Sequence, residues 1–584
     1  MSEYRTETRD GMTIDWDVAV VMDDGLTLRA DVYRPVAEGR YAAIVSYGPY
    51  GKGLAFQDGY KTAWEIMERR FPDTVRGTSN QYQNWEVADP EKWVPDGYVC
   101  VRVDSRGAGR SKGYLDHNGA RENRDFYDCI EWTAAQPWSN SKVGLNGISY
   151  YAASQWRAAA LQPPHLAAIC VWEGWADYYR DGARHGGIAC TFRKNWQEMQ
   201  VVTVQHGRGE RGPKSRVTGE LVCGDVSLSD EELKRNRADM WANVQSRRLV
   251  DDYYRERTAD LSKVTVPLLS AANWGGQGLH TRGNFEGYVG AASKQKWLEV
   301  HGDSHWAPFY TDYGVGLQKR FFDHFLKGQD NGWDQEPRVR LQVRHPGTAG
   351  VERFVERRED EWPLARTQWT PYYLDLKART LSTRAPKASG EIEYDGLGEG
   401  VTFTTPALEQ PLEITGPSAL KLYLSSSTSD ADVFAVLRVF DSGGREVVFQ
   451  GALDPHTPVA QGWLRASHRK LDPKRTLPYR PYHTHDEIQP LTPGAKVELD
   501  VEIWPTCIVV PAGYRVALTI RGKDYEFEGE AAVLSNMKNP MKGCGPFVHD
   551  DPQDRPPEIF GGQVTLHAGD GKQPYVLLPV IPNS

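Results

Sequence analysis

A serine stands at a sharp corner of the sequence, in the stretch KVGLNGISYYAAS of residues 142–154. A short apolar run ends at Gly147, Ser149 follows two residues later, and an alanine-rich pattern typical of a helix begins at once. A tight strand-to-helix turn would project the hydroxyl of Ser149, and the helix N-terminus would favour negative charge developing beside it. Ser149 is therefore a candidate nucleophile. A turn-forming serine fits the same pattern, since Tyr151 stands where a glycine is usual.

A nucleophilic serine needs a base, and His305 is the candidate. It lies in residues 301–306 (HGDSHW), just beyond the strand-like run 296–301. A loop histidine at that point can reach over the end of the strand that carries Ser149. The alternative is a histidine that is solvated or that caps the core.

The elements that must position these residues alternate between strands and helices. Runs typical of strands buried on both faces stand at residues 42–47, 99–104, 142–146, 167–172, 266–272 and 296–301. Helix-like stretches such as 123–135 lie between them, and this alternation predicts a parallel sheet with helices on both faces. Residues 178–263 are charged and helix-prone, with a Ser-x-x-Glu capping pattern in the stretch 228–242. They predict a helical insertion that forms a lid over the sheet.

After about residue 345 the hydrophobic pattern changes to a period of two. Leu420, Leu422 and Leu424 alternate with polar neighbours, as do the apolar residues of 497–503, and another such run follows the turn at 511–513. This pattern predicts antiparallel strands with one buried face, and hence a sandwich or jelly roll. We therefore divide the chain into two parts of one α/β domain at 1–177 and 264–345, a cap at 178–263 and a β domain at 346–584.

Composition excludes several classes of protein. The net charge of -9 and the pI near 6.0 argue against nucleic acid or an anionic membrane as partner. Seven scattered cysteines without CxxC spacing indicate reduced thiols and a cytoplasmic protein, and the polar N-terminus does not read as a signal peptide. No apolar run approaches the roughly 18 residues of a membrane span.

Several motifs together resemble one family. They are the opening hairpin of residues 23–35, the turn DSRGAGRS of residues 104–111, and residues 136–140 (QPWSN) leading into Gly147-Ile148-Ser149-Tyr150. In these motifs the chain resembles the cocaine esterase and X-prolyl dipeptidyl-peptidase group of α/β-hydrolases, which also includes α-amino acid ester hydrolases. The resemblance runs over nearly the whole chain, and Tyr151 is normal for this group. It favours Ser149 as the nucleophile.

The resemblance implies a fold and a mechanism. It implies an α/β-hydrolase fold with a helical cap and a C-terminal jelly roll that helps to wall the site. It implies hydrolysis of a carboxylic ester or amide through an acyl-enzyme, without cofactor or metal, with an oxyanion hole formed by the hydroxyl of Tyr50 and the backbone N–H of Tyr150.

We expect a small-molecule ester or amide as substrate, and leave a homodimer open. An esterase or acylase is favoured over a dipeptidyl-peptidase, because the peptidases of the group tend to carry extra N-terminal modules. The other class of function left open is a binding protein on a hydrolase scaffold with a weakened site.

The acid of the catalytic triad is missing from its usual position. The family normally places an aspartate in a W-x-D turn, but Gly276 stands there in this chain. Three acids could replace it, namely Glu173, Asp177 and Asp303, and a site without an acid is the remaining alternative. Glu173 is favoured because it follows the strand after the nucleophile helix and has the reach to cross to a neighbouring strand about 4.8 Å away. The alternative for Glu173 is a structural role, in which its buried carboxylate pairs with an arginine such as Arg180.

One further motif is set aside. His483 and His485 could bind a metal, but no third ligand follows at a recognisable spacing, so a solvated loop is expected.

Overall fold

The candidate catalytic residues follow the C-terminal ends of strands in the first β-sheet of the protein. The structure is a computed structural model and describes residues 5–347 and 352–582. The strands of the sheet are β1 (Arg5–Arg9), β2 (Met12–Val21), β3 (Thr27–Pro35), β4 (Tyr41–Gly48), β5 (Tyr98–Asp104), β6 (Ser139–Ile148), β7 (Leu166–Trp172) and, after the hairpin of β8 (Arg184–His185) and β9 (Ile188–Ala189), β10 (Leu268–Asn273), β11 (Lys296–His301), β12 (Val339–His345) and β13 (Arg353–Glu359). Neighbours follow the order β1-β2-β3-β5-β4-β6-β7-β10-β11-β12-β13. The pairs from β5–β4 to β11–β12 are parallel, and the outer pairs are antiparallel.

Every run predicted as a strand of the parallel sheet overlaps one of these strands. Successive side chains of a strand point to opposite faces, and the two faces bury different sets of residues. Ile44 of β4 packs in a cluster with Phe321 and Phe322. Val45, the next residue, packs in another cluster with Phe126. Burial on both faces explains why these strands are continuously apolar in sequence.

Some of the α-helices of residues 5–347 and 352–582 cover the two faces of this sheet, and others lie in the insertion and in the C-terminal half. The helices are α1 (Phe56–Gly59), α2 (Lys61–Arg70), α3 (Pro90–Trp93), α4 (Ala120–Ala134), α5 (Tyr150–Ala160), α6 (Phe192–Trp196), α7 (Asp230–Arg235), α8 (Met240–Ser246), α9 (Asp252–Glu256), α10 (Thr281–Gly290), α11 (Ala307–Tyr310), α12 (Asp312–Lys327) and α13 (Pro557–Phe560). Two π-helical turns, Tyr179–Ala183 and Gln197–Val201, lie in the segment between β7 and β10.

The helix-prone stretch 228–242 is two helices instead of one. Ser229 and Glu232 form the predicted capping box at the start of α7. The helix ends after Arg235, and the carboxylate of Asp239 accepts a hydrogen bond from the backbone N–H of Ala242 to begin α8. Asp239 is thus the N-cap of a second helix, which divides an otherwise continuous helical pattern.

The second half of the chain forms a second large sheet, whose strands are β14 (Gln368–Asp375), β15 (Thr380–Ser382), β16 (Gly390–Asp395), β17 (Val401–Thr404), β18 (Leu412–Ser426), β19 (Asp432–Phe440), β20 (Glu446–Val447), β21 (Ala460–Arg465), β22 (Val497–Val510), β23 (Arg515–Arg521), β24 (Gln563–Ala568) and β25 (Tyr575–Ile581). The three period-two runs lie in β18, β22 and β23, and β18 pairs antiparallel with β22 along nearly its whole length. Leu420, Leu422 and Leu424 are fully buried. The C-terminal region is thus a β-barrel or sandwich domain.

The first sheet extends past the boundary predicted at residue 345. β13 pairs with β12 from Val339↔Glu359 to His345↔Arg353. Its sequence, RFVERRE, is mostly charged because it is an exposed edge strand, and charge of this kind blunts a sheet edge against further pairing. Within residues 5–347 and 352–582 no helix has both the length and the apolar character that crossing a membrane requires.

Candidate active site

Ser149 occupies the turn between β6, which ends at Ile148, and α5, which begins at Tyr150. Its backbone has φ 59° and ψ -111°, a conformation that a non-glycine residue rarely adopts. A hydrogen bond of 2.7 Å from the backbone N–H of Ala153 to the carbonyl of Ser149 helps to hold it there. The strained turn presents the hydroxyl to a cavity at the end of the sheet. This geometry is that of a nucleophile elbow.

His280 is the direct partner of that hydroxyl. Its Nε2 lies 3.0 Å from Ser149 Oγ, and its Nδ1 is buried without a partner among the described residues. Burial, and then the charge on His305, lowers the pKa of His280 well below its usual value. His280 is therefore a neutral imidazole whose Nε2 can accept the hydroxyl proton. Sequence reasoning missed this residue, because it lies at the start of α10, beyond the Trp-Gly-Gly turn, and belongs to no motif.

His305 lies between two carboxylates. Its Nδ1 is 2.8 Å from Oε2 of Glu173, and its Nε2 is 2.7 Å from Oε1 of Glu86. Burial opposes a charge on the ring, but Glu173 and then Glu86 outweigh it and raise the pKa of His305 well above its ordinary value. The ring stacks on His280 with centroids 5.2 Å apart. The structure thus brings His305 to Glu173 as expected, but pairs the hydroxyl of Ser149 with His280.

Glu173 is fully buried just beyond β7. Its second oxygen, Oε1, contacts Nε2 of His301 at 2.9 Å and accepts a hydrogen bond from Nδ2 of Asn273. Burial would raise the pKa of Glu173, but His305 and His301 keep it below its ordinary value, so the carboxylate stays ionised. The partners of Glu173 are histidines and an asparagine, in place of the arginine considered as the structural alternative.

The other two candidate acids are engaged elsewhere. Asp177 pairs with Arg180 at 2.8 Å, and Asp303 pairs with Arg70 at 2.7 Å. Their carboxylates are satisfied by these arginines and do not serve His305.

Glu86 is the second residue that sequence reasoning missed. It is 2% exposed, has a positive φ of 65°, and its backbone carbonyl accepts a hydrogen bond from the N–H of Ile148, one residue before the nucleophile. Burial raises the pKa of Glu86 to about 7, although His305 acts in the opposite direction. Residues 79–89 contain no strand and no periodic pattern that would have marked this acid.

Tyr50 lines the cavity, and Tyr150 directly follows Ser149 in the chain. The oxygen of Tyr50 accepts a 3.0 Å hydrogen bond from the indole N–H of Trp196, which leaves its own O–H proton free to donate into the cavity. Burial and Glu86 raise the pKa of Tyr50 well above 10, so the hydroxyl stays protonated. Tyr150 is the first residue of α5, where backbone N–H groups have no partner within the helix. Its side chain points away to Glu122.

The cavity is small and has a mostly apolar wall. Both halves of the chain line it, with Tyr50, Trp85, Phe192, Trp196, Leu279, Leu453, Met537 and Phe547 as its apolar and aromatic residues. Backbone hydrogen bonds connect the halves at Ala452, whose carbonyl accepts from His305 and whose N–H donates to Gly275. Gly276, at the expected position of the acid, is part of the wall.

His483 and His485 are buried, contrary to the expectation of a solvated loop. Nδ1 of His485 lies 3.0 Å from Nδ1 of His468, where the loop packs against the insertion next to Tyr179. The polar sequence around His483 and His485 did not indicate this burial, because it depends on contacts with residues distant in the chain.

Comparisons with known proteins find relatives that match nearly the whole chain. Residues 24–307 match the family model of the X-Pro dipeptidyl-peptidase (S15 family), and residues 331–532 match that of the X-Pro dipeptidyl-peptidase C-terminal non-catalytic domain. A CocE/NonD family hydrolase from Staphylococcus aureus of known structure is 30% identical, with 98% of this chain and 94% of that chain covered and a TM-score of 0.82. Cocaine esterase from a Rhodococcus species is 26% identical over 87% of this chain and 90% of its own length. A putative serine esterase from Mycobacterium bovis is 26% identical over 91% of this chain and 92% of its own length.

The α/β fold and these relatives define an enzyme of the serine hydrolase class. The chain belongs to the X-Pro dipeptidyl-peptidase (S15) family, in the group that includes the CocE/NonD hydrolases and cocaine esterase.

Proposed function

We propose that this enzyme hydrolyses carboxylic esters through an acyl-enzyme, with Ser149 as nucleophile, His305 as general base and Glu173 as the acid that orients the base. The observation that carries the proposal is the 2.8 Å contact between Glu173 and Nδ1 of His305 at the cavity into which Ser149 projects. A carboxylate on Nδ1 fixes the imidazole and stabilises the imidazolium that forms when Nε2 takes a proton.

The surroundings of the two histidines of the cavity differ in how well they stabilise the protonated ring. A proton on His280 would have no carboxylate beside it and would face the neighbouring ring of His305. A proton on His305 is stabilised by Glu173. We therefore assign His280 to orient the hydroxyl of Ser149 at rest. His305 takes the proton when its Nε2 exchanges Glu86 for Ser149.

The chemical steps follow from these roles. Ser149 Oγ attacks the carbonyl carbon while its proton passes to Nε2 of His305. The C–O bond of the ester then breaks, His305 returns the proton to the leaving alkoxide, and the acyl group stays on Ser149. Water repeats the sequence and releases the acid. The free O–H of Tyr50 and the N–H of Tyr150 would stabilise the negatively charged oxygen of the tetrahedral intermediate in both acylation and deacylation.

The wall of the cavity favours an uncharged, apolar acyl group. Apolar and aromatic side chains form most of this wall, and the one carboxylate among its described residues, Glu86, contacts His305 at rest. This favours an esterase over an X-Pro dipeptidyl-peptidase or an amide acylase, which remain the alternative activities of the same site.

The finer architecture is part of the proposal. We assign residues 178–263 as a cap, because Phe192, Trp196 and Gln200 reach the cavity from that segment. The β domain is assigned to the jelly-roll type on the basis of its antiparallel strands. The seven cysteines are buried and free, which fits a reducing, cytoplasmic location.

A pre-steady-state experiment with p-nitrophenyl esters tests the mechanism. Wild-type enzyme is expected to release a burst of about one p-nitrophenol per chain as the acyl-enzyme forms. Ser149→Ala or His305→Ala should slow acylation by about 10⁴-fold or more, because the two act as one unit. His280→Ala should cost much less, since it removes only a contact made at rest. The reverse ranking of the two histidines would make His280 the base.

The acid has a matched control. Glu173→Gln keeps the shape but removes the charge, and should slow acylation by up to about 10⁴-fold. Asp303→Asn should have little effect, because Asp303 pairs with Arg70. If Glu173→Gln acylates within threefold of wild type while Asp303→Asn collapses, the assignment is wrong.

A substrate panel decides between the activities. Aromatic and short aliphatic p-nitrophenyl esters are expected to be cleaved with higher kcat/KM than X-Pro anilides or β-lactam amides. A folded protein that neither turns over any of these nor labels with a fluorophosphonate would instead be a binding protein.

A further inference from the structure

Three buried side chains meet behind the wall of the active-site cavity. His185, Cys190 and His549 each place one possible ligand atom, a ring nitrogen or the sulfur, within 4.8 Å of the other two. His185 is part of β8, and Cys190 follows β9 directly. His549 comes from the β domain, so the cluster joins the insertion to the C-terminal half of the chain.

The hydrogen bonds of the two histidines leave one proton too few. Nδ1 of His549 lies 2.8 Å from a carboxylate oxygen of Asp524 and must donate to it. Nε2 of His185 lies 3.2 Å from the carbonyl oxygen of Asp181 and must donate as well. The remaining nitrogens, Nδ1 of His185 and Nε2 of His549, face each other at 2.8 Å. Without a third proton or a bound cation between the rings, their two N–H protons are both used on the outer oxygens. Two bare lone pairs are therefore left pointing at each other.

A metal ion between these nitrogens removes the conflict. We propose that His185, Cys190 and His549 bind a divalent transition-metal ion, with Zn²⁺ the best match to two imidazoles and a thiolate. Each ring then stays neutral, gives one lone pair to the metal and donates its one N–H to an oxygen. The contact between His549 and Asp524 is the carboxylate–histidine–metal arrangement that orients such ligands. The charges also balance, since the thiolate and Asp524 together offset the two positive charges.

For the two nitrogens the geometry needs only a small adjustment. Zn–N bonds of about 2.0–2.1 Å in a tetrahedral site separate two ligand nitrogens by about 3.4 Å, so the two rings must move apart by about half an ångström. Water can complete the coordination. It can enter from a surface cavity that Asp524, Val548 and His549 line.

The site is independent of the proposed hydrolysis but lies close to it. Phe192 is two residues beyond Cys190, and Phe547 is two residues before His549. Their rings pack 5.0 Å apart, and both line the active-site cavity. A metal at this point would clamp the insertion to the β domain and fix one wall of the acyl pocket.

Metal analysis of the full chain tests the proposal. Protein purified from zinc-supplemented medium is expected to contain about one ion per chain. Chelation followed by Co²⁺ should give the near-ultraviolet charge-transfer band of a cobalt thiolate. Cys190→Ser should lose that band and weaken metal binding by at least about tenfold. The matched control is Cys129→Ser, another buried free cysteine, which should keep both the band and the affinity.

Wild-type protein alone can overturn the inference, so the result does not depend on whether a variant folds. The proposal is wrong if the chelated wild type binds neither Zn²⁺ nor Co²⁺ in a titration and its melting temperature stays unchanged. It is also wrong if Cys190→Ser binds Co²⁺ with an unchanged band. None of these readouts requires activity, so they separate this inference from the proposed esterase.

Discussion

The hydroxyl of Tyr50 has one hydrogen-bonding role filled and one open. Its oxygen accepts from Trp196, and its proton is free. If that proton stabilises the developing oxyanion, Tyr50→Phe should lower kcat by about 10²–10³-fold with little change in KM. The control is Tyr60→Phe, a buried tyrosine that packs on Tyr50 but does not line the cavity. Steady-state kinetics on an activated ester give both constants. A loss confined to KM would mean that Tyr50 binds the substrate.

Glu86 is expected to set the pH at which His305, the proposed base, can accept a proton. Two carboxylates favour the imidazolium, but His305 must be neutral to accept the proton of Ser149. Glu86→Gln removes one negative charge, so the pKa of His305 should fall. The rising limb of kcat/KM against pH should then move to lower pH by about one unit. Glu65→Gln, an exposed change, is the control. An unmoved limb would show that Glu86 does not control the base.

The sequence pattern and the family resemblance predicted part of this candidate site. The glycine before Ser149 and the helix after it marked the elbow, and the order of strands directed attention to Glu173 and His305. Glu86 and His280 carry no such mark, because each is brought in by a loop whose path depends on tertiary packing. A single substitution in the family pattern, Gly276, indicated that the acid had moved, but not that a second acid would bind Nε2.

At the scale of elements, the turn from β6 to α5 depends on Gly147. Its φ is 147°, and a Cβ there would lie 2.5 Å from Cβ of Tyr151 and 3.0 Å from the carbonyl oxygen of Glu86. Gly147→Ala should therefore cost about 1–3 kcal/mol of stability and lower kcat by displacing Ser149. Gly316→Ala, in α12 with open space around it, should stabilise the protein slightly. Thermal unfolding and burst kinetics of both variants check this. Equal behaviour would contradict the role of Gly147.

Elements with a regular hydrophobic pattern were the easiest to predict. The parallel strands and the period-two strands of the β domain reveal themselves through hydrophobic pattern alone. β13 was missed because an exposed edge strand has no such pattern. The insertion was predicted as helical but is built from short helices and π turns, whose breaks depend on local caps such as Asp239.

At the scale of the whole molecule, buried ion pairs connect the insertion to the β domain, and no sequence pattern predicted them. Asp554 of the β domain bonds Arg184 of the insertion at 2.8 Å and Arg465 at 3.0 Å. All three side chains are at most 4% exposed. Partners hundreds of residues apart leave no spacing to detect, so this network becomes visible only in the assembled fold.

Asp554→Asn should weaken the assembled molecule in a pH-dependent way. It leaves a buried guanidinium without its counter-charge, which costs about 3–5 kcal/mol at pH 7. Burial would raise the pKa of Asp554, but Arg465 and Arg184 hold it below the ordinary value of 3.8. The carboxylate therefore stabilises the fold above about pH 4, and this contribution is lost as the pH falls through the lower folded-state pKa.

The difference in unfolding free energy between wild type and Asp554→Asn should accordingly be full at pH 7 and at pH 5, and should shrink only below about pH 4. Urea unfolding followed by tryptophan fluorescence measures it. The matched control is Asp312→Asn, whose partner Arg76 lies 2.9 Å away with both side chains about 70% exposed. Water and salt screen that pair, so its loss should cost no more than about 1 kcal/mol. Equal losses in the two variants at pH 7 would mean that the network does not hold the insertion to the β domain.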